Sequence, residues 1–298
     1  MLTAVLSLTG ALVFGAADFL GGIAAKRIGA VLATAVAGLA GFVALALATP
    51  IVGSTWEPAD LWLGAAAGLV GAVAIGLLYA CLAIGPMSIL SPLTALVSAI
   101  VPMVWGLVSG DRFGPITPWA LGLALVAVVL VGFVPERGAV RPSLTGIGMG
   151  VGSGAAIGVF YIIMDRTSSG SGLAPLTVNV GVTAVVMFAV AGVFALAARV
   201  KRSRMPQPDE ATDAASTAPD RTRGVRLAAV GGLVNAAANA LILFGIRAGE
   251  LAIAAVLGAM YPAGTIILAA IVLKERIAPV QWVGLVLALA SAAMLALA

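Results

Sequence analysis

A single carboxylate interrupts the apolar sequence at the start of the chain. Asp18 lies in FGAADFLGG, residues 14–22, and is the only ionisable side chain among the first 25 residues. Inside a bilayer a carboxylate costs about 2.5–3.5 kcal/mol, so it normally faces protein or water. Glycines at 15, 21 and 22 allow another backbone or a ligand to approach. Asp18 can therefore bind an ammonium group or carry a proton. The alternative is a structural role, such as capping a helix or pairing with an arginine.

A second polar pair lies near the other end of the chain. Asn235 and Asn239 are four residues apart, which places both side chains on one face of a helix. In hydrocarbon their amides need partners. They can hydrogen-bond a carboxylate or hydroxyl group of a ligand. They can equally hold their helix to a neighbour, a contact worth about 0.6 kcal/mol each. The sequence leaves both possibilities open.

The remaining candidate binding residues are aromatic or hydroxyl side chains inside apolar segments. Tyr261 precedes Pro262, and proline removes a helical hydrogen bond, so a kink is predicted there. Hydroxyls beside Pro92 and Pro102 can contact a ligand or satisfy carbonyls that the prolines leave unpaired. The candidates in this group are Tyr79, Ser91, Ser98, Tyr161 and Tyr261.

Several kinds of chemistry have no residues to support them. The chain has no histidine and one cysteine, which excludes an intrachain disulfide and removes the commonest metal ligand. It contains no Walker loop, no His-Glu-x-x-His and no Gly-x-Ser-x-Gly motif. We therefore expect no metal, no cofactor, no ATP-driven step and no enzymatic activity.

The composition indicates an integral membrane protein. Of the 298 residues, 62% are hydrophobic and only 9% are charged, against about a quarter charged in soluble domains. A soluble fold of this length cannot bury so much apolar surface. The basic pI near 9.7 then reflects topology signals beside the lipid bilayer, and we expect no nucleic-acid partner.

Apolar runs of about 20 residues, the length needed to cross a bilayer, occur ten times. A polar segment rich in Pro, Ser, Thr, Asp and Arg, residues 201–224, separates the seventh run from the eighth and is predicted to be a mobile loop. The predicted helices cover 2–24, 29–53, 60–84, 86–108, 116–135, 143–165, 173–199, 225–246, 250–273 and 278–297.

The basic residues are distributed unevenly between the loops. Loops after odd-numbered helices hold 13 of the 16 lysines and arginines, seven of them around the long loop. The positive-inside rule therefore predicts that this loop is cytoplasmic and that both termini are outside. Arginine outnumbers lysine by 13 to 3, which favours a GC-rich bacterial source and hence the bacterial plasma membrane.

The second half of the sequence repeats the first. At a shift of 164 residues, 14 of the 48 positions in 68–115 are identical to their counterparts. The shift aligns helices three to five with helices eight to ten, so the unit has five helices. The residues aligned with Asn235 and Asn239 are Gly71 and Ile75, so the two amides are not part of the repeated pattern.

An odd number of helices makes the two copies cross the membrane in opposite senses. The predicted fold is therefore an all-α integral membrane protein of ten transmembrane helices, built as two inverted five-helix repeats around a central cavity. The repeats are predicted to cover residues 1–135 and 143–298, with the polar cytoplasmic loop at 200–225. A duplicated helical bundle with a purely structural role is the alternative.

Three stretches carry a resemblance to a known family. YPAGTIILAAIVLKERIAPVQWVGLVLALA (261–290), its counterpart SAIVPMVWGLVSGDRFGPITPWALGLALV (98–126) and FGAADFLGG resemble the drug/metabolite transporter (DMT) superfamily, and within it the EamA-type carriers. The resemblance implies a ten-helix carrier with a central cavity that exports small metabolites, such as amino acids, or drugs. GDRFGP departs from the usual Gly-Glu-Arg of the first copy. Many relatives are drawn with cytoplasmic termini, against the loop charges.

These observations together predict a secondary active transporter. It would export a small metabolite, an amino acid or similar amphiphile, across the plasma membrane by alternating access, as a monomer or a homodimer. The alternatives are a membrane-embedded enzyme that modifies a lipid, a channel and a structural membrane protein. The lack of histidine and of clustered acids disfavours the enzyme, and the lack of a ring of like residues disfavours the channel.

Overall fold

A computed structural model describes residues 1–84, 87–110, 114–132, 143–202, 214–272, 274 and 276–297. Within these ranges the chain is helical, with one short 3₁₀ turn at Ser169–Ser171 and no strand. The helices are α1 (Leu2–Ile28), α2 (Ala30–Val52), α3 (Pro58–Ile84), α4 (Met87–Ser109), α5 (Thr117–Gly132), α6 (Leu144–Asp165), α7 (Ala174–Arg202), α8 (Ala214–Arg247), α9 (Leu251–Gly258), α10 (Tyr261–Val272) and α11 (Pro279–Leu297).

The prediction of a ten-helix integral membrane protein is confirmed. Across the described ranges, nine spans are long and apolar enough to cross a bilayer, and α5, with 16 described residues, is a shorter tenth. The predicted break at Gly85–Pro86 and the basic loop around Arg137 lie outside the described residues.

Two helix starts are explained by the residues that precede them. The Ser143 hydroxyl accepts the Gly146 N–H before α6, and Gly29, at φ 82°, joins α1 directly to α2.

The ninth span is broken in the middle. α9 ends at Gly258, and α10 begins at Tyr261 after a turn over Ala259 and Met260. The cause is Pro262, which has no N–H to continue the helical ladder. The Ala263 N–H instead bonds the Met260 carbonyl at 2.9 Å, a tighter turn than in an α-helix. The kink predicted at Tyr261-Pro262 is therefore present as a short, tighter turn between α9 and α10.

The polar segment between the seventh and eighth spans is shorter than predicted. The sequence predicts a loop over 200–225, whereas α7 continues to Arg202 and α8 already begins at Ala214. Contact with α1 explains the additional helical residues. Gly224 lies so close to the end of α1 that a Cβ at this position would be 2.6 Å from the Ile28 side chain. Arg27 also pairs with Asp220 at 3.4 Å. The end of α1 thus supports a polar extension that cannot bury enough surface alone.

Contacts between helix ends define two sides of the protein. On the first, called the Asp60 side, the start of α1 lies beside the end of α8, with Thr3 against Gly249. The end of α6 meets the start of α3 there, at Ser168 and Asp60. On the second, called the Arg27 side, α1 ends against the start of α8. Since α1 begins and α6 ends on the Asp60 side, the two halves of the chain run in opposite senses.

Helix packing follows the same two-fold relation. α1 packs on α8 as α6 packs on α3, and α3 packs on α7 as α8 packs on α2. α1 packs on α9 and α10 as α6 packs on α4. The pairs α2–α7 and α5–α11 each map onto themselves. The division at 135–143 remains a prediction, but these pairings are those expected of two inverted five-helix units.

Candidate functional site

The position of Asp18 is set by a close crossing of two helices. One turn before it, Gly15 lies against α10, where a Cβ would be 2.5 Å from the Thr265 nitrogen and 2.7 Å from the Gly264 Cα. The Thr265 hydroxyl donates to the Gly15 carbonyl at 3.1 Å, which fixes the crossing. Asp18 follows on α1, so it lies beside the helix that starts at the break in the ninth span.

Two tyrosines from the second half of the chain lie near Asp18. The carboxylate acts electrostatically on the hydroxyls of Tyr161 on α6 and Tyr261 at the start of α10. Phe14, one turn before Asp18 on the same helix face, stacks on Tyr261 with ring centroids 5.7 Å apart. Asp18 therefore points into the helix bundle and not into acyl chains. We call Asp18, Tyr161 and Tyr261 the carboxylate–tyrosine cluster.

Asp18 is accessible although its surroundings are packed. Its side chain is exposed, whereas its neighbours Ala17 and Phe19 are buried. Tyr161 is only 6% exposed and packs with Ile242, Ile246 and other residues of α8 and α9. A ligand that reaches Asp18 thus contacts a carboxylate and, beside it, a surface of aromatic and aliphatic side chains. This arrangement suits a small molecule with one polar and one apolar part.

The two asparagines of α8 lie on the helix face that continues to this apolar surface. Both are half-buried, and they precede Ile242, which packs with Tyr161, by one and two turns. The Asn239 amide nitrogen donates to the Asn235 carbonyl of its own helix at 2.9 Å. That bond does not connect α8 to a neighbour, so their role as ligand-binding residues remains a prediction.

Replacing these amides separates the two possibilities. We expect Asn235→Leu combined with Asn239→Leu to change the order of preference among transported compounds, because leucine cannot hydrogen-bond a polar ligand group. Competition between compounds in proteoliposomes measures this order. Ala237→Leu, at an exposed position on the same helix, is the control. A lower melting temperature with unchanged preference would identify the amides as packing groups.

The remaining predicted residues divide into two groups. The Ser98 hydroxyl is buried and donates to the Ala95 carbonyl of its own helix at 2.8 Å. Thr94 makes similar bonds, to Leu90 at 3.0 Å and to Gly150 of α6 at 3.1 Å. These geometries suit packing. The side chains of Tyr79 and Ser91 lie outside the described residues, so their predicted contacts with a ligand stay predictions.

The structure contains a polar network on the Asp60 side that the sequence does not predict. Asp60 is 4% exposed and accepts two hydrogen bonds from Ser168, from the N–H at 3.1 Å and the hydroxyl at 2.5 Å. Arg247, at the end of α8, donates to the Gly172 carbonyl at 2.6 Å and to the Thr167 hydroxyl at 3.0 Å. From the sequence, Arg247 and Glu250 after α8 can be interfacial charges or a gate pair, and the contact between Asp60 and Ser168 is not predicted. Asp60 and Ser168 are more than 100 residues apart in the sequence, so no local pattern predicts their contact.

The two sides of the protein are packed differently. Three large hydrophobic clusters occupy the half nearer the Asp60 side. In the half nearer the Arg27 side, the described residues form two small clusters, one around Ala24, Ala33 and Ala228 and one around Ala35, Ala72 and Met187. Asp18 lies past the middle of α1 toward the Arg27 side. Asp18 thus lies in the half of the bundle in which the described residues form the smaller clusters.

The site contains no arrangement that resembles a metal centre in the described part of the chain. No three Asp, Glu or Cys side chains come together there as ligands would. Among the described residues, charged groups include Asp18, the Asp60–Ser168–Arg247 network and the Arg27–Asp220 pair. A lone carboxylate can bind a cationic group or a proton without a metal.

The fold and the site together define a class. A helical bundle of inverted five-helix units, with a broken helix and an accessible carboxylate inside it, has the architecture of a secondary carrier. The sequence model of the EamA-like transporter family matches residues 144–297, from α6 to α11. The chain therefore belongs to the EamA-like transporter family, part of the DMT superfamily, as the sequence motifs predict.

The comparisons with other proteins support the fold. One protein known from a crystal structure is similar over 99% of this chain and 96% of its own, with a TM-score of 0.70 and 16% sequence identity. At that identity the likeness concerns the fold alone. The search among curated protein sequences gave no match. The chain is thus a multi-pass membrane protein of a transporter family, and its substrate has to be inferred from the site.

Proposed function

We propose that the protein is a secondary active transporter that exports a small amphiphilic metabolite, such as an amino acid or an amine, by alternating access. The observation that carries this proposal is Asp18. It is an exposed carboxylate inside the bundle, next to two tyrosines from the opposite repeat and to the break in the ninth span. A carboxylate in a membrane-spanning helix costs about 2.5–3.5 kcal/mol at the bilayer centre, a cost for which a purely structural bundle has no use.

The chemistry of the cluster supports coupling. An Asp18 carboxylate can bind either a proton or an ammonium group, but a proton removes the charge that holds the ammonium. The two ligands therefore compete for one site, and competition allows a proton gradient to drive the substrate in the other direction. The aromatic surface of Phe14 and Tyr261 contributes contact area for the apolar part of the substrate.

Reconstituted protein distinguishes the proposed carrier from its alternatives. Proteoliposomes loaded with candidate metabolites should show saturable counterflow of labelled substrate. Non-saturating flux would indicate a channel, and formation of a new product from a lipid would indicate an enzyme. A panel of amino acids and amines, tested with and without an imposed proton gradient, identifies the substrate and the coupling together. The absence of any flux across the panel would count against transport of this class of compound.

We further propose that the protein lies in the bacterial plasma membrane with its Arg27 side in the cytoplasm. The described basic residues of that side include Lys26, Arg27, Arg221, Arg223, Arg226, Lys274 and Arg276, whereas the Asp60 side has Arg166 and Arg247. Basic residues favour the cytoplasmic side. The start of α1 and the end of α11 both lie on the Asp60 side, since Ala4 and Leu295 share one cluster. Both termini would then be outside.

Fusions to the C-terminus test this orientation. Alkaline phosphatase fused after the last residue, Ala298, should be active in bacterial cells, because that enzyme folds only outside the cytoplasm where its disulfides form. Green fluorescent protein at the same position should be dark. A fluorescent fusion with inactive phosphatase would show cytoplasmic termini, as drawn for many relatives, and would reverse the assignment of the two sides.

A further inference from the structure

Two helix junctions on opposite sides of the protein are counterparts in the two-fold arrangement. On the Asp60 side, the start of α3 binds the end of α6 through Asp60 and Ser168. On the Arg27 side, the start of α8 binds the end of α1 through Asp220 and Arg27. Because α3 corresponds to α8 and α6 to α1, each junction joins equivalent helices. In both, an acidic residue at the start of one helix holds the chain at the end of the other.

The two junctions are in different states in this structure. Asp60 is almost completely buried, and its bonds to Ser168 are 3.1 and 2.5 Å long. The Arg27–Asp220 pair is longer, at 3.4 Å, and its side chains are 30% and 61% exposed. An exposed ion pair of this kind contributes little to stability. The Asp60 junction is buried, whereas the Arg27 junction is solvent-exposed and weakly held.

Arg247 connects the closed junction to a third helix. Its guanidinium bonds Gly172, Thr167 and Ser171 in the turn that follows α6, and it acts electrostatically on Asp60. The Arg247 Nε is buried without a hydrogen-bond partner. The network therefore joins the end of α8 to the turn after α6 and to the start of α3.

We propose that Asp60, Ser168 and Arg247 form the gate that closes the Asp60 side while Asp18 is accessible from the Arg27 side. During transport this gate opens, and the Arg27–Asp220 junction becomes the closed one. This inference rests on the proposed transport function. It explains why the large hydrophobic clusters lie on the Asp60 side while Asp18 is exposed. The gate residues act on access and do not contact the transported compound.

Cross-linking the gate tests whether it has to open. Cys81, the single cysteine, is first replaced by alanine, and Asp60→Cys is then combined with Ser168→Cys. A short thiol-to-thiol cross-linker should reduce counterflow at least tenfold, and a reductant should restore it. Each single cysteine variant, treated in the same way, is the control. Full transport by a cross-linked double variant would overturn the gate while leaving the transport function standing.

A second measurement does not depend on transport. Asp18→Cys in the Cys81→Ala background is labelled in vesicles of known orientation with a membrane-impermeant cationic methanethiosulfonate. We expect labelling from the Arg27 side. Adding Asp60→Ala, or the milder Ser168→Ala, should increase labelling from the Asp60 side several-fold. Unchanged sidedness in variants that elute as monodisperse protein would overturn the gate. If wild-type protein shows no counterflow but the sidedness shifts, the gate stands and the proposed transport function fails.

Discussion

Asp18→Asn should reduce transport by about 10- to 100-fold and abolish its dependence on pH. Asparagine has the shape of aspartate but no charge, so it can neither hold an ammonium group nor release a proton. Loss of a charged hydrogen bond costs about 1.5–3 kcal/mol, and each 1.4 kcal/mol is a factor of about ten. Counterflow and proton-driven uptake, measured from pH 5.5 to 8.5 in proteoliposomes (a range of about 3 pH units that brackets neutrality), give both quantities.

The control is a carboxylate of the same protein that lies outside the bundle. Glu57, before α3, is exposed, and Glu57→Gln should retain normal transport with a normal pH profile. Since asparagine fits the space that the aspartate side chain occupies, we expect the melting temperature of Asp18→Asn to stay close to that of the wild type. Normal flux at every pH in Asp18→Asn would exclude the carboxylate from the transport mechanism.

The sequence predicts the class of fold well because the bilayer restricts the choices. Ten apolar runs, an odd number per repeat and the need to satisfy every backbone group leave helices as the only spanning elements. Pro262 is an example of such a successful prediction at a single position. A missing N–H predicts an interruption, and the structure has one at Ala259 and Met260. The rule is not absolute, because Pro50 in α2 and Pro92 and Pro102 in α4 lie inside continuous helices.

Prediction from the sequence fails where the interacting residues come from distant segments. Asp60 looks like an acidic residue at the start of a helix, and only the folded chain shows its bonds to Ser168. The polar composition of the 214–224 segment predicts a loop, yet the segment is helical because α1 extends beside it. In the sequence Tyr161 and Tyr261 are separate candidates, and the structure brings both to Asp18. A one-dimensional pattern predicts elements but not which of their faces meet.

The glycines of FGAADFLGG show how the site depends on such a meeting. Gly15 and Gly22 belong to the same helix and are indistinguishable by pattern. The structure places Gly15 against the backbone of α10, whereas a Cβ at Gly22 would have no atom within 4 Å. Only one of the two is therefore required for close packing. That one supports the helix which starts at the break and presents Tyr261 to Asp18.

Gly15→Ala should consequently destabilise the protein, whereas Gly22→Ala should not. The new methyl group at Gly15 would lie within 3 Å of backbone atoms of Thr265 and Gly264, so α10 has to move, at a cost of about 1–3 kcal/mol. At Gly22 alanine replaces glycine in a helix without a clash, which favours folding by up to about 1 kcal/mol. Thermal unfolding in detergent should show opposite shifts for the two variants.

The same pair of variants also tests how the site is assembled. If α10 is displaced by Gly15→Ala, Tyr261 moves away from Asp18, and transport should fall although no group that binds the substrate has been changed. Gly264→Ala, which would meet the α1 backbone at Leu12 from the other side of the crossing, should produce the same loss. Equal melting temperatures and equal transport for Gly15→Ala and Gly22→Ala would contradict the crossing itself. The cluster of Asp18, Tyr161 and Tyr261 would then lose its structural basis.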